Sequence, residues 1–197
     1  MAICHLNATI VVIKTQTLDE TLEWTMKTES IVEVNRRSTK VLVAGFFVSI
    51  VVCYSVAAIG GLATAEAVDT WYRDIAKPSW NPPNWVFAPV WSFLYFSMAV
   101  SSWLVWKADC IAVPRNALAW FGFHLILNAL WSLLFFGMKR FDLAMIEIVL
   151  LWISIVISMV LYYRFSKIAT MLLIPYCLWV TFASCLNYAI WSLNRIG

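Results

Sequence analysis

The sequence predicts an all-α membrane protein: a bundle of five transmembrane helices with a structured loop between the first and the second. Three observations carry this reading. Apolar residues make up 62% of the 197-residue chain and charged residues only 13%, about half the share usual in soluble domains. The charges gather before residue 41 and then in short clusters between long apolar runs. Five of those runs reach the roughly 20 residues a helix needs to cross about 30 Å of hydrocarbon.

Residues 1–40 come first and stand apart. They hold five acids and five bases, with an apolar patch at residues 10–13. No basic region precedes that patch, so it does not read as a secretory signal. The segment is expected to be a loosely ordered N-terminal extension, ahead of a membrane domain over residues 41–197. The predicted spans are residues 41–63, 86–106, 117–137, 143–163 and 168–191. The connections after the first span are short, which makes neighbouring helices antiparallel. Lys and Arg divide seven to five between the two ends of the bundle, a slight bias towards a cytoplasmic N-terminus. The net charge of +3 forms no basic stripe, so no nucleic-acid partner is expected. The five cysteines include no CxxC pair and suggest neither a zinc site nor a disulfide framework.

The first span places Gly45, Ser49, Cys53, Ala57 and Gly61 at every fourth position, on one face. Such a face either lets helix backbones approach closely or leaves room for a flat ligand. The loop that follows contains Trp71, Tyr72, Lys77, Pro78, Trp80, Pro82, Pro83 and Trp85. Prolines fix backbone angles and remove amide donors, and tryptophans suit the membrane interface. An aromatic belt needs the rings but not the stiff Pro-Pro element, which favours a lid over a cavity between the helices.

Trp91 and Tyr95 share a face of the second span. Trp120, His124, Asn128 and Trp131 form one stripe on the third, and Trp179, Ala183 and Leu186 one face of the fifth, with Asn187 close by. Polar groups at this depth must face protein or a cavity. Convergence on one cavity would suit a large flat ligand with a few polar edges, although packing alone accounts for each aromatic taken singly. His124 reads either as an axial ligand to a metal-bearing ring or as a hydrogen-bonded core residue. Glu147 is the acid well inside a span, a functional candidate on that ground. No nucleophile–base constellation, metal-ligand spacing or phosphate loop is present. A cholesterol-contact pattern occurs at residues 160–164, of a kind common by chance.

These residues resemble the translocator protein family, also called tryptophan-rich sensory protein or peripheral-type benzodiazepine receptor. The match covers roughly residues 41–194. It rests on Trp71-Tyr72, Lys77-Pro78-Ser79-Trp80-Asn81-Pro82-Pro83, Pro89-Val90-Trp91 and Leu94-Tyr95, with Asn128, Phe135-Phe136-Gly137, Pro175-Tyr176, Trp179 and Leu186-Asn187-Tyr188 in support. The resemblance implies a five-helix bundle, usually a homodimer, that binds porphyrins (protoporphyrin IX or haem) and sterols as ligands, with no obligatory cofactor. It implies a pocket lined by Trp91, Asn128, Trp131, Trp179, Ala183 and Leu186, with Phe87, Ala88, Val90, Leu143, Ile146 and Leu150 nearby. It implies a multi-pass protein of a bacterial membrane or of the outer mitochondrial or another organellar membrane. Three departures stand out. The basic residue that follows the fifth-helix tyrosine shortly in the family comes here only at Arg195, and His124 stands where some members carry glutamine. Bacterial relatives use small residues on the third helix for dimer contact, whereas Ala117, Ala119 and Gly122 are small here but not spaced by four.

Three functions follow as expectations. The first is intramembrane binding of tetrapyrroles and other apolar ligands for transport, sensing or stress regulation. The second is light-dependent porphyrin degradation using Trp91 and Trp179. The third is proton-coupled export using Glu147.

Overall fold

The computed structural model describes residues 38–108 and 115–195, so the expectation for residues 1–40 falls, apart from its last three positions, outside the described residues. Five helices are long and apolar enough to cross a membrane: α1 (Thr39–Asp69), α2 (Phe87–Lys107), α3 (Arg115–Ser132), α4 (Phe141–Tyr163) and α5 (Lys167–Leu193). No strand occurs among the described residues.

The helix ends depart from the predicted spans for local reasons. Hydropathy ends the first span at residue 63, but Ala-rich sequence carries the helix on to Asp69. At about 1.5 Å per residue, its 31 residues exceed the hydrocarbon thickness, and the last turns stand clear of it. The third span ends in a π-turn, Leu133–Gly137, where Met138 N donates to Leu133 O at 2.7 Å and Arg140 N to Leu134 O at 3.0 Å. The wide turn lets the consecutive rings Phe135 and Phe136 both be buried. Lys139, at φ 56°, then reverses the chain into α4. Pro175 inside α5 leaves the Met171 carbonyl without its helical donor.

The helices form a ring in the order α1, α2, α5, α4, α3 and back to α1. Side chains that reach across to a neighbour's backbone join it. Ser97 and Ser101 of α2 donate to Leu172 O at 2.6 Å and Ala169 O at 2.7 Å of α5. Trp120 of α3 donates to Ser154 O of α4 at 3.0 Å, and Trp103 and Tyr54 bridge α2 and α1 through Leu42 O and Ser92 O, each at 3.0 Å. Within hydrocarbon such bonds hold helices together where no hydrophobic effect operates between them. Large apolar side chains such as Leu62, Ile126 and Leu178 cover the outside, as a lipid-facing surface requires.

The small-residue face of α1 divides between its two readings. Gly45 packs against Trp106, whose ring carbons would lie 2.4 Å from an added Cβ, and Cys53 is fully buried. Ala57 and Gly61, nearer the loop, border an open cavity.

The loop is folded, as its prolines suggest. A one-turn helix, Trp71–Asp74, begins it, and a 3-10 turn, Asn84–Val86, follows Pro83. The Lys77 ammonium donates to the carbonyls of Tyr72, Arg73 and Ile75 at 2.6, 2.9 and 3.0 Å, capping that turn. Its charge is thus spent on the loop's own backbone. Tyr72 is buried and donates to Asn81 Oδ1 at 2.8 Å, while Asn81 Nδ2 donates to Pro82 O at 2.9 Å. Burial pushes the Tyr72 hydroxyl up to about 12, with the Asn81 hydrogen bond opposing, so it stays a neutral donor. Trp71 stacks on Phe141, centroids 5.4 Å apart, and Trp80 meets the edge of Phe182 at 5.8 Å. Asn194, past the end of α5, pairs with the backbone of Ala76 in both directions, at 3.2 and 2.9 Å.

Two predictions follow from this packing. Gly45→Ala drives Cβ into the Trp106 ring and lowers stability by about 1–2 kcal/mol net of the gain in helix propensity. Gly122→Ala, with open space around its Cβ, leaves stability unchanged or raised, and thermal melting in detergent compares the two. Asn194→Ala releases the loop, so amide exchange at residues 75–82 speeds up by about fivefold, for a loss of about 1 kcal/mol. Unchanged exchange there would mean that Asn194 is not the anchor.

Candidate functional site

Beneath the folded loop lies a cavity of about 430 Å³. α1 contributes Ala57, Gly60, Gly61 and Thr64, whose short side chains leave the space open. α2 contributes Phe87, Ala88, Trp91 and Tyr95, α3 and its π-turn Trp131, Phe135 and Phe136, and α5 Trp179, Phe182, Ala183, Leu186 and Asn187. Tyr72 and Asn84 close the wall from the loop.

The rings on this wall hold one another. Phe87 meets Trp179 edge-on at 6.1 Å, and Trp179 leans on Phe182 at 5.5 Å. On the α3 side Trp131 stacks on Phe135 at 5.2 Å, and Phe136 meets Phe135 at 4.8 Å. Trp91 contacts Tyr95 at 5.7 Å and Tyr176 at 6.4 Å. Such offset and edge-to-face pairs fix ring orientation, so the wall is shaped before any ligand arrives. Gly61 and Ala65 of α1 and Ala88 and Ser92 of α2 border the cavity and are exposed. The cavity therefore opens sideways between α1 and α2, at the loop end of the candidate spans.

Of the sequence-derived pocket residues, Trp91, Trp131, Trp179, Ala183, Leu186, Phe87 and Ala88 lie on this wall. Asn128 is buried one hydrogen bond behind it: the Tyr95 hydroxyl donates to Asn128 Oδ1, and Asn128 Nδ2 donates to the Tyr176 hydroxyl at 2.8 Å. Val90 packs into the apolar core. Leu143, Ile146 and Leu150 are not on the wall, because the ring order sets α4 behind α3 and α5. α4 turns Ala144, Glu147, Ile148 and Leu151 inward, which leaves Ile146 and Leu150 on the outer surface, 63% and 52% exposed. Of the loop residues, Tyr72 reaches the wall, Trp71 and Trp80 brace it through Phe141 and Phe182, and Lys77 and the prolines shape the loop itself.

Several wall residues were not singled out from sequence. Gly60 and Thr64 lie off the every-fourth stripe that marks Ala57 and Gly61. Phe135 and Phe136 become neighbours on the wall only because of the π-turn, which hydropathy does not signal.

His124 is fully buried. Because Ser158 Oγ already donates to Ser154 O at 2.9 Å, it accepts from His124 Nδ1, 2.9 Å away, an assignment made from the network. Among the described residues no cluster of three His, Cys, Asp or Glu side chains could hold a metal ion.

Comparison with known proteins agrees with this architecture. The sequence profile of the TspO/MBR family matches residues 49–192. The chain is 41% identical over 146 residues to the tryptophan-rich protein TspO of Chlorobaculum tepidum, covering 72% of this chain and 90% of that protein. It is 36% identical over 141 residues to the tryptophan-rich sensory protein of Cereibacter sphaeroides, covering 70% and 87%. It is 37% identical over 128 residues to the translocator protein of Homo sapiens, covering 64% and 75%. With its five apolar helices, this chain is an integral, multi-pass membrane protein and belongs to the TspO/MBR family.

Proposed function

We propose that the cavity binds a tetrapyrrole, protoporphyrin IX or haem, and accepts other flat apolar molecules such as sterols, for transport, sensing or stress regulation. The observation that carries this reading is the aromatic cavity under the loop, open between α1 and α2. Its volume of about 430 Å³ falls in the range of about 300–1,000 Å³ typical of small-molecule sites. The aromatic lining offers stacking surface to a planar macrocycle, and a side opening admits a ligand that partitions into the bilayer. The names of relatives, sensory protein and translocator protein, are in keeping with ligand recognition.

Titration of the purified protein with protoporphyrin IX in the dark tests this. Saturable quenching of tryptophan fluorescence is expected. Trp91→Phe weakens binding by about fivefold, for roughly 1 kcal/mol of lost stacking, and Ala183→Phe, which fills the cavity, weakens it further. Quenching that both variants leave untouched would move the site elsewhere, and its absence in the wild type would turn the search to sterols.

A second reading has its own observation: Trp91 and Trp179 lie on the same wall. Two indoles beside an illuminated porphyrin and dioxygen could take part in oxidising it. Porphyrin loss under light that disappears in Trp91→Phe with Trp179→Phe would support it, and undiminished loss would remove it.

A further inference from the structure

The ligand cavity leaves one group at membrane depth without a role. Glu147 is 4% exposed, and among the described residues neither carboxyl oxygen meets a donor. An unpaired carboxylate sealed from water is too costly to keep ionised, which leaves a bound proton as the simplest compensation.

The neighbours of Glu147 are acceptors or neutral groups. α4 packs against α3, α5 and the π-turn. From α5 come Tyr176, whose hydroxyl is within electrostatic reach of Glu147, and Asn187. Asn187 is 1% exposed, and its Oδ1 is also unpartnered. It approaches α4 through Nδ2, 3.8 Å from Met145 Sδ, and stands six residues from the loop end of α5, as Glu147 does from that of α4. α3 carries Asn128, bonded to Tyr176, and His124, bonded to Ser158 eleven residues along α4 from Glu147. The π-turn, Leu-Leu-Phe-Phe-Gly, has no titratable side chain. On α4 itself the nearest charge, Asp142, is paired with Arg140 at 2.6 Å on the exposed helix end. Nothing in this set is a cation.

A hydrogen-bonded line joins this region to the cavity. Tyr95 on the wall donates to Asn128, Asn128 donates to Tyr176, and no acceptor among the described residues meets the Tyr176 proton. Tyr176 makes no hydrogen bond with Glu147, whose two oxygens are unpartnered, and reaches it through charge alone. We propose that Glu147 is a proton-binding site coupled by charge to the ligand cavity. The exchange is simple: the carboxylate takes one proton from the aqueous phase and becomes a neutral acid. An anionic ligand on the cavity wall favours that neutral acid, because like charges disfavour ionisation. By linkage, ligand binding then takes up a proton, and affinity is higher below the Glu147 titration and lost as pH rises through it. This last step rests on the tetrapyrrole reading, through the carboxylates of protoporphyrin IX.

Infrared spectroscopy of the protein in lipid tests the site without any ligand. The carbonyl band of a protonated carboxyl group is expected at neutral pH, shifted by carbon-13 glutamate and lost in Glu147→Gln. With no donor at either oxygen, the band should lie at the frequency of an acid with no hydrogen bond. The absence of a protonated-carboxyl band in the wild type overturns the site. The carbon-13 shift separates glutamate from aspartate, and Glu147→Asp, which keeps a carboxyl group at this position and should move the band out of the labelled set, decides the first point if Glu147→Gln fails to fold. In dark titrations with protoporphyrin IX the wild type should lose affinity by about fivefold or more across the Glu147 titration. Glu147→Gln should flatten that component, and an uncharged alkyl porphyrin should show none of it. A wild-type pH profile in Glu147→Gln overturns the coupling. Failure of any porphyrin to bind would end the tetrapyrrole reading and the ligand coupling with it, while the infrared result would still decide the proton site.

Discussion

At hydrocarbon depth a polar group finds no partner but the protein itself, and the rest of this structure follows from that constraint. The serines of α2 donate to carbonyls of α5, and the indoles of Trp103 and Trp120 donate to carbonyls of the neighbouring helix. The ring α1–α2–α5–α4–α3 is the order in which these bonds can all be made. The same constraint collects Tyr95, Asn128 and Tyr176 at the point where three helices meet. The cavity is the space above that junction, where short residues on α1 stop filling the ring.

The loop extends the constraint to the aqueous edge. A connection spanning residues 70–86 would otherwise present bare carbonyls at the interface. Lys77 takes three of them, Asn81 one, and Asn194 another. With its backbone satisfied internally, the loop can lie over an apolar opening, and Tyr72 turns its ring into the wall beneath.

Much of this was legible in the sequence, because apolar length and one-faced stripes are direct signatures of spanning helices. All five spans are found, and Trp91, Trp131, Trp179, Ala183 and Leu186 share a wall. What could not be read depends on helix order. Hydropathy says which residues cross the membrane but not that α4 stands behind its neighbours, so Ile146 and Leu150 could not be told from wall residues. The family resemblance puts Asn128 on the wall, and its depth alone says only that it faces protein or a cavity. Tyr95 and Tyr176, distant in sequence, satisfy it instead. The π-turn was hidden because Leu133 to Gly137 is as apolar as any helical stretch.

The openings of the cavity constrain what reaches it. The aqueous end is covered by the loop, braced by Trp71 on Phe141 and Trp80 on Phe182. The side between α1 and α2 is bordered by Gly61, Ala65, Ala88 and Ser92, and one bond between the helices, from Tyr54 to Ser92 O, crosses it. Closing the bundle there would need large side chains on α1, and α1 carries its large ones, Phe47, Ile59 and Leu62, on the exposed surface. The cavity is thus covered towards the loop, open between α1 and α2, and walled by aromatic rings, with Tyr95, Asn84 and Asn187 as polar groups in its lining.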